Sequence, residues 1–124
     1  MAYNIQDAGV TTILDTSSTG AGSWYRVHPK MENLTIHVVQ NGTSAGATAS
    51  STTVIEASND GVNPLGTVLG TVALSSNSGT GDGFAVSAHW QYIRAKLNSI
   101  GAASAGATGT TAAVKVLVSG NWGA

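Results

Sequence analysis

The chain has 124 residues, no cysteine and a formal net charge of −1, and only 9% of its residues are charged. This length allows one domain with a sizeable core, and the lack of cysteine excludes disulfides and thiolate metal sites. The balanced charge gives no electrostatic basis for binding nucleic acid or an anionic membrane. So few charges favour assembly over a solitary monomer.

Short β-branched and aromatic runs recur along the chain, separated by glycine, serine, threonine, asparagine and alanine. No stretch shows the apolar period that a helix of ten or more residues needs. The pattern predicts an all-β fold, a single antiparallel β-sandwich domain over residues 1–124, with short flexible termini at 1–8 and 119–124. Eight strands in a jelly roll are expected. They span residues 10–14, 23–28, 33–40, 53–58, 65–74, 83–88, 90–98 and 111–118.

The middle of the chain carries the strongest turn signal. Ser58-Asn59-Asp60-Gly61 follows the β-branched run 53–55 and precedes the apolar run 65–74. Asp-Gly is a preferred hairpin dipeptide, because glycine adopts positive φ at low cost and aspartate bonds the nearby backbone. The sequence therefore predicts a tight hairpin here, with Asp60 and Gly61 as its structural turn.

The predicted connections fall into a long, neutral class and a short class that holds much of the charge and both prolines. If each strand crosses the sandwich once, connections that are two apart share an end. The long connections, residues 15–22, 41–52, 75–83 and 99–110, then all lie at one end. Ser-Ala-Gly-Ala-Thr occurs at both 44–48 and 104–108. It indicates either chance in a biased composition or two related halves of a jelly roll.

The titratable residues form no motif typical of catalysis. His28, His37 and His89 show no metal-ligand spacing. Asp60 and Asp82 each precede a glycine, which a turn explains; calcium binding by either loop is the minor alternative. The sequence therefore predicts no enzyme, no cofactor and no metal site.

One constellation on the seventh strand is typical of a contact surface. Trp90, Tyr92, Arg94 and Lys96 occupy alternate positions and are predicted to project from the face opposite the core. Tryptophan, tyrosine and arginine are enriched at binding hot spots. In the alternative interpretation, Trp90 caps the core where the strand begins, and Arg94 and Lys96 are ordinary solvated positions. Further aromatic surface is expected from Trp24, Tyr25 and Trp122.

Two passages carry a resemblance to known families. Residues 54–61, which end in Ser-Asn-Asp-Gly, and residues 90–95, which contain Tyr-Ile-Arg, resemble the S-x-D-G … Y-hydrophobic-R pattern of discoidin-like jelly rolls. The same pattern recurs in small jelly-roll virion proteins of tailed bacteriophages. The chain lacks the cysteines and the apolar loop spikes of discoidin-like domains. Its low charge and its many small residues are similar to capsid decoration (cement) proteins of these phages.

This resemblance implies a structural virion protein, made in the host cytoplasm and located on the capsid surface, that binds and stabilises the head shell. The implied partners are the major capsid protein and further copies of the chain in a homotrimer, with Trp90 or Arg94 in the interface. The alternative is a phage tail or head-fibre module that binds a receptor or carbohydrate. No signal peptide and no apolar run of membrane-spanning length are visible, so no membrane partner is expected.

Overall fold

The computed structural model describes residues 3–5, 9–28, 31–41, 49–76, 80–87, 90–102 and 113–122, and these residues form strands and no helix. Two sheets pack against each other around one core, which confirms the predicted all-β antiparallel sandwich. The strands are β1 (Tyr3–Asn4), β2 (Val10–Thr16), β3 (Gly20–Ala21), β4 (Tyr25–Arg26), β5 (Met31–Asn41), β6 (Ala49–Ser58), β7 (Gly70–Ser76), β8 (Thr80–Ser87), β9 (Tyr92–Ala102) and β10 (Ala113–Trp122).

The strand pairs are nested around the middle of the chain. Sheet A has the order β1-β4-β9-β6-β7, with β3 also pairing with β9, and sheet B has the order β2-β10-β5-β8. The parallel pair of β1 and β4 is the exception to antiparallel pairing among the described strands. β6 pairs with β7, β5 with β8, β4 with β9 and β2 with β10. The central hairpin is therefore the innermost pair, and each later pair encloses the one before it.

The core lies between the sheets and follows from the two-residue alternation of the strands. On β5, Leu34, Ile36 and Val38 are buried, whereas the residues between them are exposed or half-buried. The inner positions of β9 and β10 are buried in the same way. Each buried valine, leucine or isoleucine side chain contributes about 1.5–3 kcal/mol through burial, and an alanine contributes less. The buried inner residues of β9 and β10 are Ile93, Ala95, Leu97, Val114, Val116 and Val118.

The central hairpin has a longer connection than predicted. β6 and β7 pair from Ile55 opposite Gly70 outward, so residues 59–69 connect them, and the predicted strand start at residue 65 is wrong. The backbone N–H groups of Leu65 and Leu69 donate to carbonyls of β6 at 2.9 and 2.8 Å. Both leucine side chains pack against the core. This anchoring explains why an irregular segment carries the apolar pattern of a strand.

The other predicted strands are present with shifted ends. The strand predicted at 23–28 is reduced to β4, and the strand predicted from residue 90 begins at Tyr92. Two segments assigned to flexible termini are paired instead. Ile5 donates a backbone hydrogen bond to Arg26 at 3.0 Å, and residues 119–122 continue β10 alongside β5.

The strand ends agree with the predicted separation of long and short connections. The register places the ends of β2 and β5 and the starts of β8 and β10 at one end of sheet B. It places the start of β6 and the ends of β7 and β9 at one end of sheet A. The segments 42–48, 77–79 and 103–112 join these strand ends. Their own residues, including both copies of the five-residue repeat, lie outside the described residues.

Candidate interaction site

The outward stripe predicted on β9 exists at three of its four positions. The alternate residues from Ile93 to Leu97 are buried in the core. Tyr92, Arg94 and Lys96 lie half-buried on the opposite side of sheet A. A partner contact through this stripe stays a prediction. How much of each side chain is free to contact a partner depends on its neighbours within the chain.

Trp90 does not belong to the stripe. It precedes β9 in a bend at residues 90 and 91, and its half-buried side chain packs against the core. Because the bend breaks the two-residue alternation, the facing of Tyr92 does not extend back to Trp90. The structure supports the alternative in which Trp90 caps the core where the strand begins.

Arg94 is engaged within its own chain. It lies directly opposite Glu56 in the β6–β9 pair, and its Nε donates a hydrogen bond to Oε1 of Glu56 at 2.7 Å. Its guanidinium carbon lies 4.4 Å from the centroid of the Trp24 ring, a cation–π distance. The Arg94 and Glu56 side chains are only 20% and 11% exposed. Arg94 therefore offers little surface to another molecule.

A backbone irregularity brings Trp24 to this ion pair. Ala21 lies opposite Lys96, and Tyr25 lies opposite Ile93, so three intervening residues face two on β9. Such an extra residue is a β-bulge, which bends the strand and redirects side chains. The bulge interrupts the pairing beside Arg94, and the Trp24 ring covers the guanidinium there.

The turn after β6 is organised by the Asp60 carboxylate. Its Oδ1 accepts backbone N–H bonds from Val62 and Asn63 at 2.8 Å and a hydroxyl bond from Ser58 at 2.7 Å, and its Oδ2 accepts the Asn63 amide at 2.9 Å. These bonds, chiefly those from the backbone of Asn63 and Val62, hold the pKa of Asp60 well below its ordinary value. Gly61 has a φ of 71°, which confirms the predicted positive φ.

The turn and the stripe, which are distant in sequence, meet in space. A Cβ atom on Gly61 would lie 3.4 Å from the Tyr92 ring, so the Gly61 backbone lies close to that ring. The backbone N–H of Gln91 donates to Oδ1 of Asn59 at 3.2 Å. The connection after β6 is thus attached to the start of β9.

These contacts give no support to the calcium alternative. The Asp60 oxygens already face N–H and O–H donors, whereas calcium needs oxygen lone pairs turned toward it. Within the described ranges, no group of three or more histidines, aspartates or glutamates could hold a metal ion. No helix in those ranges is long and apolar enough to cross a membrane.

A second surface, which the sequence analysis missed, lies on the outer face of sheet B. The outward residues of β5 and β10 lie opposite one another there, with Leu117 facing His37 and Ser119 facing Thr35. Beside them, Val10 of β2 is 67% exposed. A hollow of about 200 Å³ is lined by Val10, Thr35, His37, Leu117, Val118 and Ser119. Strand alternation predicts the outward facing, but only the register brings these residues together.

The rest of this outer face carries one pair of opposite charges and small side chains. Lys115 lies opposite Asp15 in the β2–β10 register, so the two opposite charges are neighbours. The edge strand β8 contributes only small outward residues, Gly81, Gly83 and Ala85. We call this surface, formed by the outward residues of β2, β10, β5 and β8, the sheet B face.

Comparison with protein-family models and with curated proteins found no match for this chain.

Proposed function

We propose that this chain is a structural protein of a phage particle, a capsid decoration protein that binds and stabilises the head shell. The observation that carries the proposal is the low charge of the chain, 9% of its residues, together with the placing of opposite charges next to each other on the two sheets. On sheet A, Arg94 is neutralised by Glu56. On sheet B, Lys115 lies opposite Asp15. Protein surfaces with so few charges are suited to being covered by other protein.

The nested strand order adds support to this proposal. A jelly roll has eight strands in two sheets and combines two Greek keys. With β3 and β4 taken as one interrupted strand along β9, four nested pairs in two sheets, β2–β10, β4–β9, β5–β8 and β6–β7, support a jelly roll as part of this proposal. The fold by itself does not determine function, so this support is by analogy with the resembled virion proteins.

Immunogold electron microscopy tests the location directly. Antibody raised against the purified chain is applied to particles released from cells that carry this reading frame. Label on the heads is the expected result. Label confined to tails or fibres would support the receptor-binding alternative instead, and particles without label would contradict a virion role. A glycan array with the isolated chain adds a second criterion, because strong and specific sugar binding would favour the fibre module.

The proposal includes the homotrimer implied by the resemblance, with its contact on the outer face of sheet A. Arg94 is largely covered by Glu56 and Trp24, so Tyr92 and Lys96 are the stripe residues that remain for this contact. Trp90 packs against the core, and its removal would destabilise the fold rather than report on assembly.

Light scattering coupled to size exclusion tests the trimer. The expected assembly contains a three-chain unit, each chain having a mass of 12.4 kDa. Lys96→Glu should break that unit by placing a carboxylate in the interface. Lys115→Glu makes the same charge change on the other sheet and should keep the three-chain unit. A unit that survives Lys96→Glu would contradict the sheet A contact.

A further inference from the structure

We infer that the sheet B face pairs two copies of this chain back to back about a two-fold axis. This contact goes beyond the proposed virion role and does not depend on it.

The face is self-complementary in shape. Val10 is one of the two large hydrophobic side chains that are strongly exposed in the described part of the chain. It lines the 200 Å³ hollow together with Leu117 and His37. A two-fold axis that passes between Val10 and the hollow would place the exposed valine of each copy over the hollow of the other. A contact of this kind uses the same patch twice and closes after two copies.

The face is large enough for a weak specific contact. Four strands spaced by about 4.8 Å, each about eight residues long at roughly 3.3 Å per residue, cover about 500 Å² per copy. Two copies together would bury about 1,000 Å², which is the lower limit for a biological interface. The area therefore favours a concentration-dependent dimer over a permanent one.

Charge and surface relief allow two such faces to stack. Sheets pack face to face about 10 Å apart when small and aliphatic side chains interdigitate. The glycines and the alanine of β8 keep one side of the face low. The charges of Lys115 and Asp15 lie opposite each other in register and offset one another, so neither repels a second copy on its own. A second copy of the same neutral face is therefore a fitting occupant.

Sedimentation velocity over a range from low micromolar to near-millimolar protein tests this inference. A monomeric wild type should double its mass as concentration rises, and a three-chain unit, which carries three such faces, should at least double it. Val10→Asp should abolish that doubling, because a carboxylate would be buried in the contact. Val62→Asp is the matched control, since Val62 is also strongly exposed, at 70%, and lies away from this face. Doubling that persists in Val10→Asp, or no doubling of the wild type, would overturn the inference.

Charge exchange at His37 gives a second test that is independent of folding losses. His37 is exposed on an inner strand of the face and lines the hollow, so a contact that places Val10 over the hollow brings Val10 of one copy near His37 of the other. Val10→Asp alone should prevent doubling, and adding His37→Lys should recover it, because each new carboxylate then meets a lysine of the other copy. Failure of the double variant to double, while it stays folded by circular dichroism, would contradict a two-fold contact of this geometry.

Discussion

The guanidinium of Arg94 donates a hydrogen bond to the Glu56 carboxylate at 2.7 Å across the β6–β9 pair, on the side of sheet A that faces away from the core. Trp24 covers the guanidinium, and Val54 and Ser58, the neighbours of Glu56 on the same side of β6, are buried. The outward side of this inner strand is therefore a small packed layer. A charged pair in such a layer is shielded from solvent more than an ordinary surface pair.

Removing one partner of this pair should destabilise the fold. Exposed ion pairs contribute at most about 1 kcal/mol, whereas breaking a buried pair costs about 3–5 kcal/mol. With side chains 11% and 20% exposed, we expect Glu56→Ala to cost about 2 kcal/mol, measured by urea denaturation. Asp15→Ala, on an exposed position of β2, should change stability by no more than about 0.5 kcal/mol. A double-mutant cycle with Arg94→Ala should show clear coupling, and strictly additive effects would contradict the shielded pair.

Gly61 should be sensitive to substitution because of its backbone angle. Its φ of 71° is a conformation that residues with a Cβ adopt only at a cost. Gly61→Ala should therefore lower stability by about 1–2 kcal/mol, seen as a fall in melting temperature. Gly66→Ala is the control in the same connection, because no atom lies within 4 Å of a Cβ placed there and its φ is not positive. Equal melting temperatures for the two variants would argue against strain at Gly61.

Much of the sandwich is predictable from the sequence because alternation and turn chemistry are local. The buried positions of β5 and β9 and the positive φ of Gly61 depend on near neighbours in the chain. The ion pair of Arg94 with Glu56 depends on the register between two strands that are distant in sequence, and alternation does not determine register. The sequence pattern indicates that Arg94 points outward, but not that it meets Glu56.

Two errors have the same physical origin. The apolar, β-branched run that begins at Leu65 has the character of a strand, but Leu65 and Leu69 anchor an irregular connection to the core. Trp90 and Tyr92 are two positions apart, so alternation predicts that both face outward, but a backbone bend at residues 90 and 91 breaks the alternation. In both cases tertiary packing overrides a pattern that holds only while the backbone stays extended.

The Asp60 carboxylate should make stability depend on pH in the acid range. Its pKa is lowered in the folded state, so its stabilising contribution is complete above about pH 5. That contribution is lost as the pH falls through the ordinary aspartate value of about 3.9 toward the depressed value. Melting temperature should thus fall with decreasing pH below about 5 in the wild type, and fall less steeply in Asp60→Asn, which carries no titrating group there. Asp15→Asn controls for the loss of one negative charge, and a slope in Asp60→Asn as steep as in the wild type would contradict the assignment.

Asp82 should protect the free edge of sheet B from pairing with other chains. β8 is the last strand of that sheet, and the backbone N–H of Gly83 donates to the Asp82 carboxylate at 2.8 Å. An exposed edge whose donors are free can template a further strand, and a charged side chain is a common guard against this. Asp82→Ala removes both the acceptor and the charge, so it should aggregate faster on mild heating, measured by turbidity and thioflavin fluorescence. Asp82→Asn keeps an acceptor oxygen and should give an intermediate rate. If Asp82→Ala stays as soluble as the wild type at equal thermal stability, this edge is protected by other means, such as the contact of the Phe84 ring with Gly70 of β7.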